Sequence, residues 1–389
     1  MTDGEDRHHA AVVGAGAVGL ATALGLARAG LSVALVGPAP ERRDGRTAAI
    51  LDAGSRWLAE LGIDVAAHGA PLRRMRLVDD TGSFFRPPPT TFAAEEIGLS
   101  AFGTNIENAT LVRLLGEAVR ASAAIHWTEE LATGLARDGS VAAVTLAGGG
   151  RVEAALVVAA DGRDSAIRAA AGIGARTRAY PQSAFTTLLA HERDHGEVST
   201  EFHTRAGPFT LVPLPGRRSS LVWVTQPAHA ERLRGLEDGD LARAIEGRAA
   251  PLLGRVTIDG PRGVVPLATR TAERFVGDRV ALVGETAHVL PPIGAQGLNL
   301  GLTDARVLVA EVGRAARGGG DLGGAATLAA YERARRADVR VRTAAVDGLN
   351  RALLTDLLPL DAARGLGLGL LGAVPPLRRA AMRAGLVGA

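Results

Sequence analysis

Apolar runs cut by glycine set the rhythm of this chain. The run AAVVG (10–14) reads as a short buried strand, and an alanine- and leucine-rich helical pattern then carries to about Gly30. Residues 31–36 form a second apolar strand at once, so the opening predicts strand, turn, helix and strand. The middle of the chain has a different period. TTLLA (186–190), FTLV (209–212) and SLVWVT (220–225) are strand-like runs separated by Gly/Pro turns. Between the two regions, Asn108 stands as the N-cap of a helical pattern over 109–121, and ALVVAADG (155–162) is a buried strand ending in a turn. The run RVALVG (279–284) leads into a glycine- and proline-rich turn, and apolar residues then resume at helical spacing. The pattern predicts an α/β unit in three segments (1–71, 98–179 and 266–330). A β-rich unit (72–97 and 180–265) interrupts it, and a helical region (331–389) follows.

Composition narrows the chemistry. A chain of 389 residues with 47% hydrophobic content and 50 glycines fits two packed, globular units. A net charge of +3 gives no reason to expect nucleic acid. All 44 basic residues counted as Lys+Arg are arginine, which excludes Schiff-base chemistry and the lysine-dependent phosphate loop. There is no cysteine, hence no disulfide, thiolate catalysis or cysteine-ligated metal. The start MTDGEDR lacks the features of a signal peptide, and no apolar run reaches the roughly 18–20 residues that span a bilayer. A cytoplasmic protein is expected.

Against that background a few stretches stand out. GAGAVG (14–19) is a G-x-G-x-x-G motif in its strand–turn–helix setting. Gly14, Gly16 and Gly19 would allow a tight turn, close approach of a pyrophosphate and close helix packing, with the phosphate on the helix N-terminus beside Val18. HERDH (191–195) fits the H-E-x-x-H zinc pattern, but the preceding residues favour a strand and Gly196 ends any helix. A surface turn is expected there, and no metal. GETAHVLPPIGAQGLN (284–299) holds two prolines and three glycines but no nucleophile and no cluster of metal ligands. A turn so constrained and so poor in reactive groups fits a cofactor that brings its own chemistry.

GAGAVG, DGRDSAIR (161–168) and GETAHVLPPIGAQGLNLGLTDA (284–305), taken in order, resemble the three fingerprints of the single-component FAD-dependent aromatic hydroxylases. DGRTAAI (44–50), AGPFTLVPLPG (206–216), NLGLTDA and LGAVPPLRR (371–379) look like the ubiquinone-biosynthesis members of that group. The resemblance implies a Rossmann-like FAD-binding domain interrupted by a β-rich substrate domain, as in para-hydroxybenzoate hydroxylase, with C-terminal helices. It implies that Glu285 meets the ribityl chain of a non-covalent FAD, and that Pro292 and Gly294 pass edge-on beside the ring. Gln296, Gly297, Leu298 and Asn299 would bring a helix N-terminus to the flavin's N1–O2 edge, where its partial positive charge favours reduced flavin. Asn299 would contact that edge or cap the helix. Asp161 would lie near the pyrophosphate, braced by Ser165 and Arg168, while His288 would make a structural hydrogen bond behind the turn. Arg46 would contact FAD or pair at the surface, and Asn108 would contact FAD if it is not simply a cap. Phe209, Leu211 and Pro213 would line the substrate or belong to sheet core.

The implied reaction is hydroxylation of a prenylated phenol with NADH or NADPH and O2. The alternatives are another aromatic, such as a polyketide or a catabolic phenol, or a non-catalytic scaffold of the same fold. The basic tail, with ten arginines against five acids from residue 331, suits an anionic membrane, partner subunits or solvent. One departure stands out. The second strand should end in an acid that holds the adenosine ribose, and here Gly37 stands in its place.

Overall fold

A computed structural model describes residues 7–40, 45–82, 88–291, 296–354 and 374–386. Two large sheets organise it. In the first, strands Val280–Leu282, Arg151–Ala159, His8–Val13, Val33–Val36 and Ile125–Thr128 lie side by side and parallel. His8–Val13 is at the centre, and its last residue, Val13, pairs with Val36 on one side and Ala159 on the other. Near-continuous apolar runs suit strands covered on both faces. The helices Ala17–Arg28 and Gln296–Arg317 pack against one another in that core. Gly25 makes the close approach possible, since a Cβ there would lie 2.8 Å from Val309.

The second sheet is mostly antiparallel. It contains Arg74–Asp79 and Thr90–Ala93 from the earlier segment, and Ala175–His191, Val198–Thr204, Gly207–Leu214, Arg218–Thr225 and Gly263–Ala272 from the later one. Helices Pro227–Arg234 and Asp238–Leu253 cover one face, burying Phe185, Phe209, Leu211, Leu221 and Trp223. A three-stranded sheet joins the two bodies: Thr47–Leu51 and Ala70–Pro71 both pair with Gly103–Glu107. The α/β class with a β-rich insertion and C-terminal helices is therefore what the chain adopts.

Some local expectations change. The second strand is shorter than 31–36 and begins at Val33. Asn108 is not an N-cap. The chain is still extended at Glu107 (φ −63°, ψ 130°), and Asn108 is the first residue of the helix Asn108–Arg120. HERDH is the end of a strand and a turn, as expected, yet the turn brings the His191 and His195 rings edge to face at 5.7 Å. Their nitrogens are already engaged. His191 bonds the Arg193 carbonyl and the Ser219 hydroxyl, and His195 bonds the Leu214 carbonyl and accepts from the Glu197 amide. Among the described residues no group of His, Asp and Glu is arranged to hold a metal ion.

Candidate active site

The separated motifs meet along one edge of the parallel sheet. Val13, Val36, Ala159 and Leu282 are the register-paired last residues of their strands, so the loops after them lie together. Those loops carry Gly14, Gly37, Asp161 and Glu285. Ligands of open α/β sheets bind at this carboxyl edge.

The glycines there fall into two kinds. A Cβ on Gly14 (φ +112°) would sit 2.2 Å from the Ala160 carbonyl oxygen, and one on Gly19 would sit 1.9 Å from that of Gly14. Both are required by the fold of the turn itself. Among the described residues, and leaving aside chain neighbours and the helix's own backbone, a Cβ on Gly16, the residue before the first helix, or on Gly297, in the first turn of the later helix, meets nothing within 4 Å. At both helix N-termini free N–H groups favour an anion or an electron-rich edge. Val18 ties the two helices together, because a Cβ on Gly301 would lie 2.8 Å from it and one on Gly284 would lie 3.3 Å away.

The Asp161 loop is bonded to the Glu285 loop. Asp161 accepts hydrogen bonds from the Ser165 hydroxyl at 2.5 Å and the Ile167 amide at 3.1 Å. Thr286, fully buried, accepts from the Gly162 amide at 3.1 Å. Arg168 donates to the Thr286 carbonyl and the Arg163 carbonyl, each at 3.0 Å, so Ser165 and Arg168 brace this turn. Burial, then the nearby charge of Arg270, press the Arg168 guanidinium below its usual pKa. Glu285 itself is exposed and faces Arg163 at 3.7 Å.

Asn299 has a role not foreseen. Its amide donates to the Ala49 carbonyl at 2.7 Å, and its oxygen accepts from the Leu51 amide at 2.8 Å. It thereby stitches the later helix to the strand Thr47–Leu51 instead of capping its own helix. The exposed Arg46 and half-buried Asn108 come together, with the Asn108 amide donating to the Arg46 carbonyl at 3.0 Å. Gln296, Gly297 and Leu298 are half-buried in the first turn of Gln296–Arg317. Pro292 and Gly294 lie outside the described residues.

Of the two alternatives for Phe209 and Leu211, the geometry favours sheet core. Their side chains point to the helix-covered face of the second sheet, where Phe209 meets Phe202 and Trp223 edge to face. Strand alternation instead turns Val212 and Ser220 toward the first body. Val212, like Ala49, packs against the cluster of Leu72, Ala94, Phe102 and Met382, and the Ser220 hydroxyl accepts from Thr47 at 2.9 Å. Pro213 is buried, and its carbonyl accepts from the Asn105 amide at 2.8 Å.

A buried polar cluster lies behind the turn. Asp304 accepts from the Gly284 amide at 3.0 Å, from Arg335 at 2.7 Å, and bonds the His288 ring at 2.5 Å. Burial alone would raise the Asp304 pKa, but the His288 ring and the Arg335 guanidinium hold it below the usual carboxylate range. His288 thus has the structural hydrogen bond expected of it. Asp304 and Arg335 were not foreseen as part of the site, although the DA of NLGLTDA was the available signal for the first.

Comparisons with known proteins agree with this geometry. The family model described as FAD binding domain matches residues 7–346. Over 380 residues the chain is 37% identical to the ubiquinone hydroxylase UbiL of Rhodospirillum rubrum, covering 96% of this chain and 88% of that one. It is 31% identical over 384 residues to the 3-demethoxyubiquinol 3-hydroxylase of Escherichia coli, covering 96% and 97%. Among solved structures, p-nitrophenol 4-monooxygenase PnpA from Pseudomonas putida DLL-E4 matches with a TM-score of 0.80 at 19% identity, over 98% of each chain. HpxO of Klebsiella pneumoniae, solved with FAD and uric acid, matches with a TM-score of 0.77 at 23% identity, over 97% of each. At such identities these structures establish the fold.

Proposed function

Because this chain belongs to the FAD-binding domain family and, within it, to the ubiquinone-type aromatic hydroxylases, we propose that it hydroxylates a prenylated phenol with NADH or NADPH and O2. The observation that carries this reading is the convergence of the three motifs on one sheet edge, where, among the described residues, a Cβ on Gly16 or Gly297 would meet nothing beyond its own chain neighbours and helix. Bound FAD would supply the oxygen chemistry that the arginine-rich, cysteine-free chain lacks.

The chain's own residues would hold and orient the reactants. Gly14, Gly16, Val18 and Gly19 form the pyrophosphate turn, with Arg46, Asn108 and Asp161 around it. Glu285 would accept hydrogen bonds from ribityl hydroxyls, and Gln296, Gly297 and Leu298 would place the positive helix end at the flavin's N1–O2 edge. Pro292 and Gly294 would complete that turn, and Asn299 fixes it to the strand Thr47–Leu51. The phenol would lie against the Val212 side of the second sheet, between the two bodies. Enclosure there excludes water and fixes the ring in reach of the cofactor.

A prenylated substrate is supplied from a bilayer. Among the described residues no helix is long and apolar enough to cross a membrane. Peripheral contact is supported by the helix Pro375–Leu386, whose exposed face carries Leu377, Arg379 and Arg383.

The test is reconstitution. The purified protein is incubated with FAD and gel-filtered, then given NADH or NADPH and a panel of prenylated and unprenylated phenols under labelled O2. The expected product is a phenol heavier by one oxygen atom derived from O2. A chain that retains no flavin, or that oxidises the nicotinamide without modifying any phenol, would overturn the reading.

A further inference from the structure

We propose that the helix Ala325–Leu354 positions the redox end of the cofactor through a ladder of ion pairs, Arg335–Asp338–Arg342, which ties down Gly284 and His288 through Asp304 at one end and Gln296 at the other. The inference rests on the flavin reading of the site.

The ladder runs along one face of the helix, at i, i+3 and i+7. Arg335 donates through Nε to Asp304 at 2.7 Å and through Nη1 to Asp338 at 2.6 Å. Asp338 in turn accepts from Nε of Arg342 at 2.7 Å. Arg342 then reaches Oε1 of Gln296 at 3.0 Å. One turn earlier, the buried Tyr331 hydroxyl donates to the Leu282 carbonyl at 2.7 Å. This single helix thus reaches Leu282, then Gly284 and His288 through Asp304, and then Gln296. In sequence they stand before Pro291 and at Gln296, the described ends of the turn.

Magnitudes argue against a purely stabilising role. Arg335 and Asp304 are 2% and 1% exposed, and such buried ion pairs contribute little net stability relative to apolar packing. What they do supply is a fixed direction. A guanidinium fork with two carboxylate partners allows one arrangement, as outer-shell groups do for metal ligands. Loosening the ladder at its Gln296 end would let the helix N-terminus withdraw its partial positive charge from reduced flavin.

The experiment compares the full chain with Arg342→Met, Arg342→Lys, Arg335→Met and, as a control on the exposed face of the same helix, Arg333→Met. Three quantities are read: the melting temperature without FAD, the FAD dissociation constant, and the midpoint potential of bound flavin. The expected result for Arg342→Met is an unchanged apo melting temperature, an FAD dissociation constant raised about tenfold, and a lower potential. Arg342→Lys should recover part of both losses, and Arg333→Met should match the wild type. If Arg342→Met binds FAD with wild-type affinity and potential, the ladder is only structural and the inference falls. This holds even if Arg335→Met melts early. If the wild type itself takes up no FAD, the flavin reading fails first, and the outcomes remain distinct.

Discussion

Gly37 shows how a backbone angle can decide chemistry. It ends the second strand, where an acid would normally hold the ribose, with φ at +148°. A Cβ would lie 3.1 Å from the Ala15 amide nitrogen, and the Gly37 carbonyl accepts from the Trp127 indole at 2.9 Å. Restoring the acid should therefore weaken the site. Gly37→Glu is expected to cost about 1–3 kcal/mol of strain and to lower FAD affinity in a direct titration; tighter binding would show that the turn can yield. Thr286 makes a second case. Thr286→Val leaves the Gly162 amide without its acceptor, for an expected loss of about 1–3 kcal/mol in denaturant unfolding, whereas Thr286→Ser should retain most of it. At this scale the glycine fingerprint was legible because its spacing is local. The Asn299 contact was not, because its partners Ala49 and Leu51 lie some 250 residues earlier, and an asparagine in a first helical turn reads as a cap.

At the level of elements, the strand Gly207–Leu214 shows why sequence left substrate lining and sheet core both open. Both of its faces are covered, and its burial is nearly continuous, so alternation marked a strand without saying which side met the helices. Phe209→Ala should accordingly behave as a core deletion, costing about 3–5 kcal/mol in equilibrium unfolding, with the KM for the phenol unchanged. Substitutions at Val212 should instead move KM at little cost in stability.

The strand end at His191 gives a pH signature. Burial lowers the His191 pKa despite the bond to the Arg193 carbonyl, and burial does the same to His229. The unfolded chain thus takes up these protons first. Stability is complete above the ordinary imidazole value of about 6.5 and declines as pH falls below it. Melting curves across that range should show the decline, and His191→Asn should flatten part of it. In the same way, the helix Ala325–Leu354 reads in sequence as a charged surface (YERARRADVR), because nothing local shows that Arg335 meets an aspartate 31 residues earlier.

For the molecule as a whole, the fold class was legible from the alternation of helical and strand periods, which is a local property. The way the two bodies are joined was not, since the three-stranded link through Gly103–Glu107 depends on distant pairing. Because the proposed site draws on all three motif loops, ligand binding should stabilise the entire fold. FAD at about a hundred times its dissociation constant should add about 2.7 kcal/mol, read as an upward shift in melting temperature.

The scattering of the central sheet along the chain also sets a timetable. Its core strands come from residues 8–13, 33–36, 151–159 and 280–282, and the arginines behind the turn come later still. At about 5–20 residues per second, a ribosome works for tens of seconds between the first strand and the last. During that interval the nascent chain holds its glycine turn without the partners that close it. Flavin therefore cannot template the early fold. On the proposed reading, flavin capture would wait for the strand Val280–Leu282 and the turn after it, which are made late in synthesis.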